Sequence, residues 1–309
     1  MHVFWNAAEN RLRVLWRVLL QAVLMIALAV IPILLVAEPL TALHKRGRFL
    51  AGLNAGSYDR VINMIAGPLL MLAVLASVLI AVRFLDHRSI SELWVVFDQR
   101  WRSGFLIGIA IGAILMSIVF VAEYAAGWVT VAGTMATNAA GVSLLLAISF
   151  SFVKVVCVGI YEEAVCRGYL LRNLADALNL RVSIVVTSAV FAILHLTNDN
   201  SSFLSTVGLF INGILFAVAV LSTGRLSTAI GLHMAWNFFE GVVYGFPVSG
   251  DKEGATLVAI RQAGPVFLTG GNFGPEAGVI GIVASVIGIV MLWSLRSDKR
   301  LDAKHRLAT

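Results

Sequence analysis

The sequence predicts an all-α polytopic membrane protein, a bundle of about eight transmembrane helices, on three observations. Hydrophobic residues make up 59% of the 309-residue chain and charged residues only 13%, against about 25% charged in an ordinary soluble domain. Mean hydropathy is +0.91. The apolar residues are gathered into runs, several of them close to the roughly 20 helical residues that cross about 30 Å of hydrocarbon.

Eight spans follow in order, at 18–37, 61–82, 104–122, 141–161, 182–196, 203–221, 226–243 and 277–295. Arg11, Arg13 and Arg17 precede the first run and no small-residue cleavage pattern follows it, so it reads as an uncleaved span. Pro32 and the Gly67-Pro68 pair fall inside spans, as membrane bundles tolerate. The second and eighth spans are uncharged and offer no chemistry. The glycine-rich stretch from Tyr244 to Glu276 is the longest loop, a lid or an extramembrane connection.

A net charge of +6 would suit nucleic acid, but the positive residues lie in short loops and tails between apolar runs, where they act as topology signals. No nucleic-acid partner is expected. The tail carries Arg296, Lys299, Arg300, Lys304 and Arg306, whereas 123–140 and 197–202 hold no Lys or Arg. Both termini are therefore expected in the cytoplasm, with 83–103 and 162–181 on the same side. Residues 41–60 disagree, because Lys45, Arg46, Arg48 and Arg60 fall outside in this scheme. Cys157 and Cys166 are the only cysteines, which excludes a disulfide framework and marks both as apolar filler.

The chemistry lies where charge enters an apolar run. "GIYEEAVCRGYLLRN" contains no proline, and its leucines let the fourth helix continue past Tyr161. With the cytoplasmic boundary near Arg172, Glu162 sits about 15 Å deep. The same ruler, counted from Arg181 and Arg225, places His195 about 21 Å deep and His233 and Asn237 about 12 and 18 Å deep. Four polar side chains from three helices thus fall in one slab. Intramembrane ionisable residues are costly and usually face a bundle interior or a wet cavity.

Glu163 and Arg167 form an i, i+4 pair with the acid first, the favoured order for an ion pair on one helix face. Glu162 points about 100° away, free to face a cavity as a general base. His233 and Asn237 are also four apart, so both can address one point. Imidazoles and an amide can stabilise a developing oxyanion, and the set suits hydrolysis of an amide bond. No G-x-S-x-G elbow, H-E-x-x-H zinc helix or G-x-G-D aspartyl pair is present.

These residues resemble a known family. "EEAVCRG" at 162–168, "FAILH" at 191–195 and "HMAWN" at 233–237 are similar, in order and spacing, to the E-E-x-x-x-R, F-x-x-x-H and H-x-x-x-N motifs of the CPBP intramembrane proteases. That family covers type II CAAX prenyl endopeptidases and bacterial bacteriocin-processing or immunity proteins, and the flanking "TGRLSTAIGLHMAWNF" and "GFPVSG" resemble bacterial members, which implies a bacterial inner-membrane location. The resemblance spans about 145–250 and implies an eight-helix bundle whose catalytic cavity opens to the cytosol. It implies that Glu162 activates water with His195, that His233 and Asn237 form the oxyanion site, and that Glu163 and Arg167 support them. Cys166 departs from the aromatic that many bacterial members carry before the motif arginine, a matter of packing rather than chemistry.

On this reading 1–140 holds the N-terminal helices, 141–250 the catalytic core, and 251–309 a loop, the last span and a basic tail, all within one structural domain. The expected partners are the lipid bilayer and a membrane-embedded or membrane-anchored peptide or protein. Glu162, His195 and His233 could hold a divalent metal such as zinc with water as fourth ligand. A metal-free glutamate mechanism is equally open.

Blander readings stand beside these. The acidic pair alone could be headgroup-level charge, and His195 and Asn237 could each hydrogen-bond across helices. Lys154, Asn212 and Glu240 are assigned to packing or cavity wetting. An ion- or proton-coupled transporter and a non-catalytic immunity or scaffold protein are the competing functions.

Overall fold

The computed structural model describes residues 4–6, 9–47, 55–137 and 143–295. A short hairpin of β1 (Trp5–Asn6) and β2 (Arg11–Leu12) precedes α1 (Val14–Pro32), which runs through a π-helical turn into α2 (Glu38–Lys45). Then come α3 (Ala55–Ile80), α4 (Gln99–Ala125), strand β3 (Val129–Thr137), α5 (Leu144–Glu163), α6 (Leu171–Ala177), α7 (Leu180–Leu194), α8 (Phe203–Thr223) and α9 (Leu226–Asn237). Strand β4 (Ala255–Gln262), the short α10 (Val266–Thr269) and α11 (Val279–Ser294) complete the order. The expected all-helical bundle is present, and each of the eight spans drawn from hydropathy is helical over most of its length.

Among the described residues five helical rods are long and apolar enough to cross a membrane, the longest of them being Leu144–Ala177 with 34 residues. The helices Leu180–Leu194 and Val279–Ser294 are shorter but equally apolar. Leucine, valine and isoleucine side chains on α1, α3 and α11 point outward, as a lipid-facing surface requires.

Two features depart from the sequence expectation. The segments 123–140 and 244–276, expected as connections, contribute β3 and β4, which pair antiparallel from Val129 opposite Gln262 to Thr137 opposite Ala255. They lie outside the helical rods, where β-branched residues such as Val129, Thr130, Val131, Val258 and Ile260 suit a ladder. The fifth span ends two residues earlier than drawn, because His195 takes a non-helical φ of −95° and ψ of 2° as the C-cap of α7.

The core is built around α9, every residue of which except Met234 is buried. Its partner is α4, which carries Gly104, Gly108 and Gly112 at four-residue spacing. A Cβ on Gly108 would stand 2.2 Å from the Thr228 carbonyl oxygen, so only glycine admits this approach. Close backbone contact of this kind replaces the hydrophobic drive that helices lack inside lipid. It fixes the position of His233 and Asn237.

The rods have two distinct ends. At one end Asp86 pairs with the buried Arg17 and accepts from Asn173 Nδ2 at 3.2 Å, Arg88 pairs with Asp176, and Arg225 pairs with Asp98. This arginine collar ties the start of α1 to the segments around 86–98, 172–176 and 225. The opposite end carries the β3–β4 sheet and the 195–202 and 244–278 connections, joined by Asn198 Nδ2 donating to the Ser249 carbonyl at 2.9 Å.

Candidate active site

The acidic pair stands at the last turn of α5, but the rod does not stop there. Its backbone widens into a π-helical turn over Ala164–Leu170 and continues as α6 to Ala177. Such turns often occur at functional positions in helices. The continuation keeps Glu162 and Glu163 inside the bundle rather than at a helix terminus.

Glu163 and Arg167 are both fully buried, and Arg167 Nη1 donates to Glu163 Oε1 at 3.0 Å. The other guanidinium nitrogen, Nη2, donates to the Gly213 carbonyl at 3.3 Å. The guanidinium lies 4.3 Å from the centre of the Phe191 ring and 5.1 Å from that of Phe216, so two aromatic faces share its charge. His233 stacks on the same Phe216 ring at 4.7 Å and 12°. Its Nδ1 lies 2.9 Å from Glu163 Oε1. One carboxylate thus orients both a guanidinium and an imidazole.

Glu162 faces the other way. It lines a cavity of about 320 Å³ together with His195, His233 and Asn237. Its Oε2 is 4.0 Å from His233 Nε2 and has no hydrogen-bond partner among the described residues. That gap matches one water hydrogen-bonded to both groups at about 2.8 Å. His195 Nδ1 is 2.7 Å from the Phe191 carbonyl oxygen, which can only accept. The proton therefore sits on Nδ1 and the Nε2 lone pair is left for other partners. A carboxylate at Nδ1 imposes the same neutral tautomer on His233.

All four residues singled out as catalytic line this cavity, and the two supporting residues lie behind its wall. Lys154 also lines it, bonded through Nζ to Asp251 at 2.6 Å and Glu253 at 2.9 Å. Asn212 is elsewhere, accepting from Ser285 at 2.6 Å in the α8–α11 contact. Glu240 is fully buried in the turn after α9. Cys157 and Cys166 are both buried.

Sequence reasoning missed Glu276. It lines the cavity, is buried, and its Oε2 accepts from Ser249 Oγ at 2.5 Å. Burial pushes its carboxyl above the usual range, and the Ser249 hydrogen bond opposes that only in part. No motif marks it. The turn carrying it reaches the site because Gly208 lets the Glu276 backbone approach α8, where a Cβ would meet the Glu276 carbonyl oxygen at 1.8 Å.

Among the described residues no three His, Cys, Asp or Glu side chains converge closely enough to hold a metal ion. The trio Glu162, His195 and His233 does not form a ready donor set as placed. A second cavity, apolar and about 670 Å³, lies across α5 and is lined by Val156, Ile160 and Ala164. Helix α5 therefore separates a polar chamber from an apolar one.

The polar cavity has a direction. Side-chain exposure falls from 68% at Asp251 and 38% at Lys154 to 20% at Glu162 and 6% at His233. Its mouth thus lies among the connections at the sheet end and its floor toward the arginine collar. A cytosolic opening, implied by the family resemblance, and a cytoplasmic collar, expected from the positive residues, cannot both hold.

Residues 142–239 match the model of the family described as Type II CAAX prenyl endopeptidase Rce1-like. The matched segment contains all six residues named as catalytic or supporting. No curated protein matches the chain.

Proposed function

We propose that the chain, a multi-pass membrane protein carrying an Rce1-like type II CAAX prenyl endopeptidase domain at 142–239, hydrolyses a peptide bond of a membrane-associated protein or peptide. The observation that carries this reading is the convergence of Glu162, His195, His233 and Asn237, from three rods, on one cavity.

In this mechanism Glu162 removes a proton from a water held between its Oε2 and His233 Nε2. The water oxygen bonds to the scissile carbonyl carbon, and the carbonyl oxygen takes the negative charge. The Asn237 amide donates to that oxyanion, an arrangement worth most in a water-poor site. Glu162 then returns the proton to the leaving nitrogen as the C–N bond breaks. Glu163 holds the His233 ring through Nδ1 and fixes its tautomer, as the carboxylate of a catalytic triad does. Arg167 keeps Glu163 in place.

The test is comparative N- and C-terminal proteomics of cells carrying the native chain or Glu162→Gln. New termini that depend on Glu162 are expected, with equal amounts of both proteins in the membrane. Identical termini in the two samples would overturn the reading and favour a non-catalytic scaffold.

A further inference from the structure

The direction of the cavity bears on where its substrate comes from. The floor is closed on the collar side by Glu163 and Arg167, neither of which has any exposed side chain, with the buried Tyr169 further along the same rod. The mouth is rimmed by Asp199 and Asp251, both exposed, and lies about 12 Å from Glu162 along α5, the eight residues from Lys154. His195, at the far end of α7, lies about 21 Å from Arg181 and hence in the half of the bilayer nearer the mouth.

Positive charge is distributed the other way. The collar end holds Arg88, Arg172 and Arg225, and the sequence leading into α1 and following α11 adds further arginines and lysines. At the mouth end, 123–140 and 195–202 have none. Lys45, Arg46, Lys154, Lys252 and Arg261 oppose the trend. Short loops rich in Lys and Arg remain in the cytoplasm, and the excess lies at the collar.

We infer that the collar faces the cytoplasm and the cavity opens on the non-cytoplasmic face, so that its substrate is a polypeptide segment presented on that face. The substrate half of this inference rests on the endopeptidase reading, whereas the orientation half does not.

The two native cysteines are buried, at 4% and 3% exposure, so single introduced cysteines report cleanly. Thr197→Cys places a thiol at the mouth and Gln99→Cys one at the collar, both at exposed positions and neither altering charge. Intact cells expressing the full chain are treated with a membrane-impermeant maleimide, before and after permeabilisation. Thr197→Cys should label equally in both conditions and Gln99→Cys only after permeabilisation. The reverse pattern, labelling of both in intact cells, or no labelling of Thr197→Cys in intact cells would overturn the inference. A green fluorescent protein fused to the C-terminus of the unaltered chain gives an independent reading. Fluorescence is expected, and a dark, membrane-inserted fusion would overturn it. A reversed orientation with Glu162-dependent termini would refute the inference and leave the endopeptidase reading intact.

Discussion

Nδ1 of His233 lies 2.9 Å from Oε1 of Glu163, in the centre of a protein whose surroundings are hydrocarbon. The same oxygen accepts from Arg167 at 3.0 Å. The second carboxylate of the pair therefore binds a guanidinium and an imidazole at once. It sets the orientation of the imidazole whose other nitrogen faces Glu162.

Replacing that carboxylate by its amide tests the role. Glu163→Gln keeps the shape but removes the charge that holds the ring. Cleavage of a substrate identified through Glu162 dependence should fall by about 10²–10⁴-fold, the range of acid–base contributions, with helical content by circular dichroism unchanged. Native activity would remove Glu163 from the mechanism.

Arg167 supports the same cluster at a cost that unfolding can read. Arg167→Met leaves Glu163 as an unpaired buried charge, and breaking a buried pair costs about 3–5 kcal/mol. Thermal unfolding in detergent should show a large drop in Tm. The double variant Glu163→Leu with Arg167→Met should recover most of it, and a single variant as stable as the native chain would contradict the pairing.

Packing of α4 on α9 positions the histidine and asparagine. In Gly108→Ala the new methyl would meet the Thr228 oxygen at 2.2 Å and the Leu232 nitrogen at 2.7 Å, so the helices must separate. Overpacking of this kind costs about 1–3 kcal/mol. Lower Tm and reduced cleavage are expected together, while Gly67→Ala, with nothing within 4 Å, serves as a neutral control.

The collar contributes a pH dependence at its exposed edge. Hydrogen bonds from Arg225 hold the Asp98 carboxyl at about 2, below its ordinary 3.8. A carboxylate depressed on folding adds stability that is present above pH 3.8 and lost as pH falls toward 2. Asp98→Asn should flatten that part of a stability-versus-pH curve by lowering stability above pH 3.8 toward the acid-side level, a small loss because the pair is solvent-exposed. An unaltered acid limb would show that the pair contributes nothing.

Much of this architecture was legible because membrane insertion leaves strong marks on a sequence. Long apolar runs must be helices, since lipid offers backbone groups no other partner, and Glu162, Glu163, Arg167, His195, His233 and Asn237 stood out as polar exceptions within or beside those runs. Glu276, Ser249 and Asp251 did not. They lie in a polar, glycine-rich connection where such residues are ordinary, and their place in the cavity depends on how that connection folds back onto α8 and α5.

The sequence by itself determined the helical runs, the similar heights of Glu162, His195, His233 and Asn237 along them, and the Glu163–Arg167 pair, because helical rise and the 100° step between residues convert spacing directly into position. Only the tertiary structure decided that His233 joins the two glutamates, that β3 and β4 pair across 131 residues between Thr130 and Arg261, and that the cavity opens away from the arginine collar. Those relations are contacts between segments distant in the chain. Their geometry comes from glycine-mediated helix approach and from loop packing, which no local periodicity encodes.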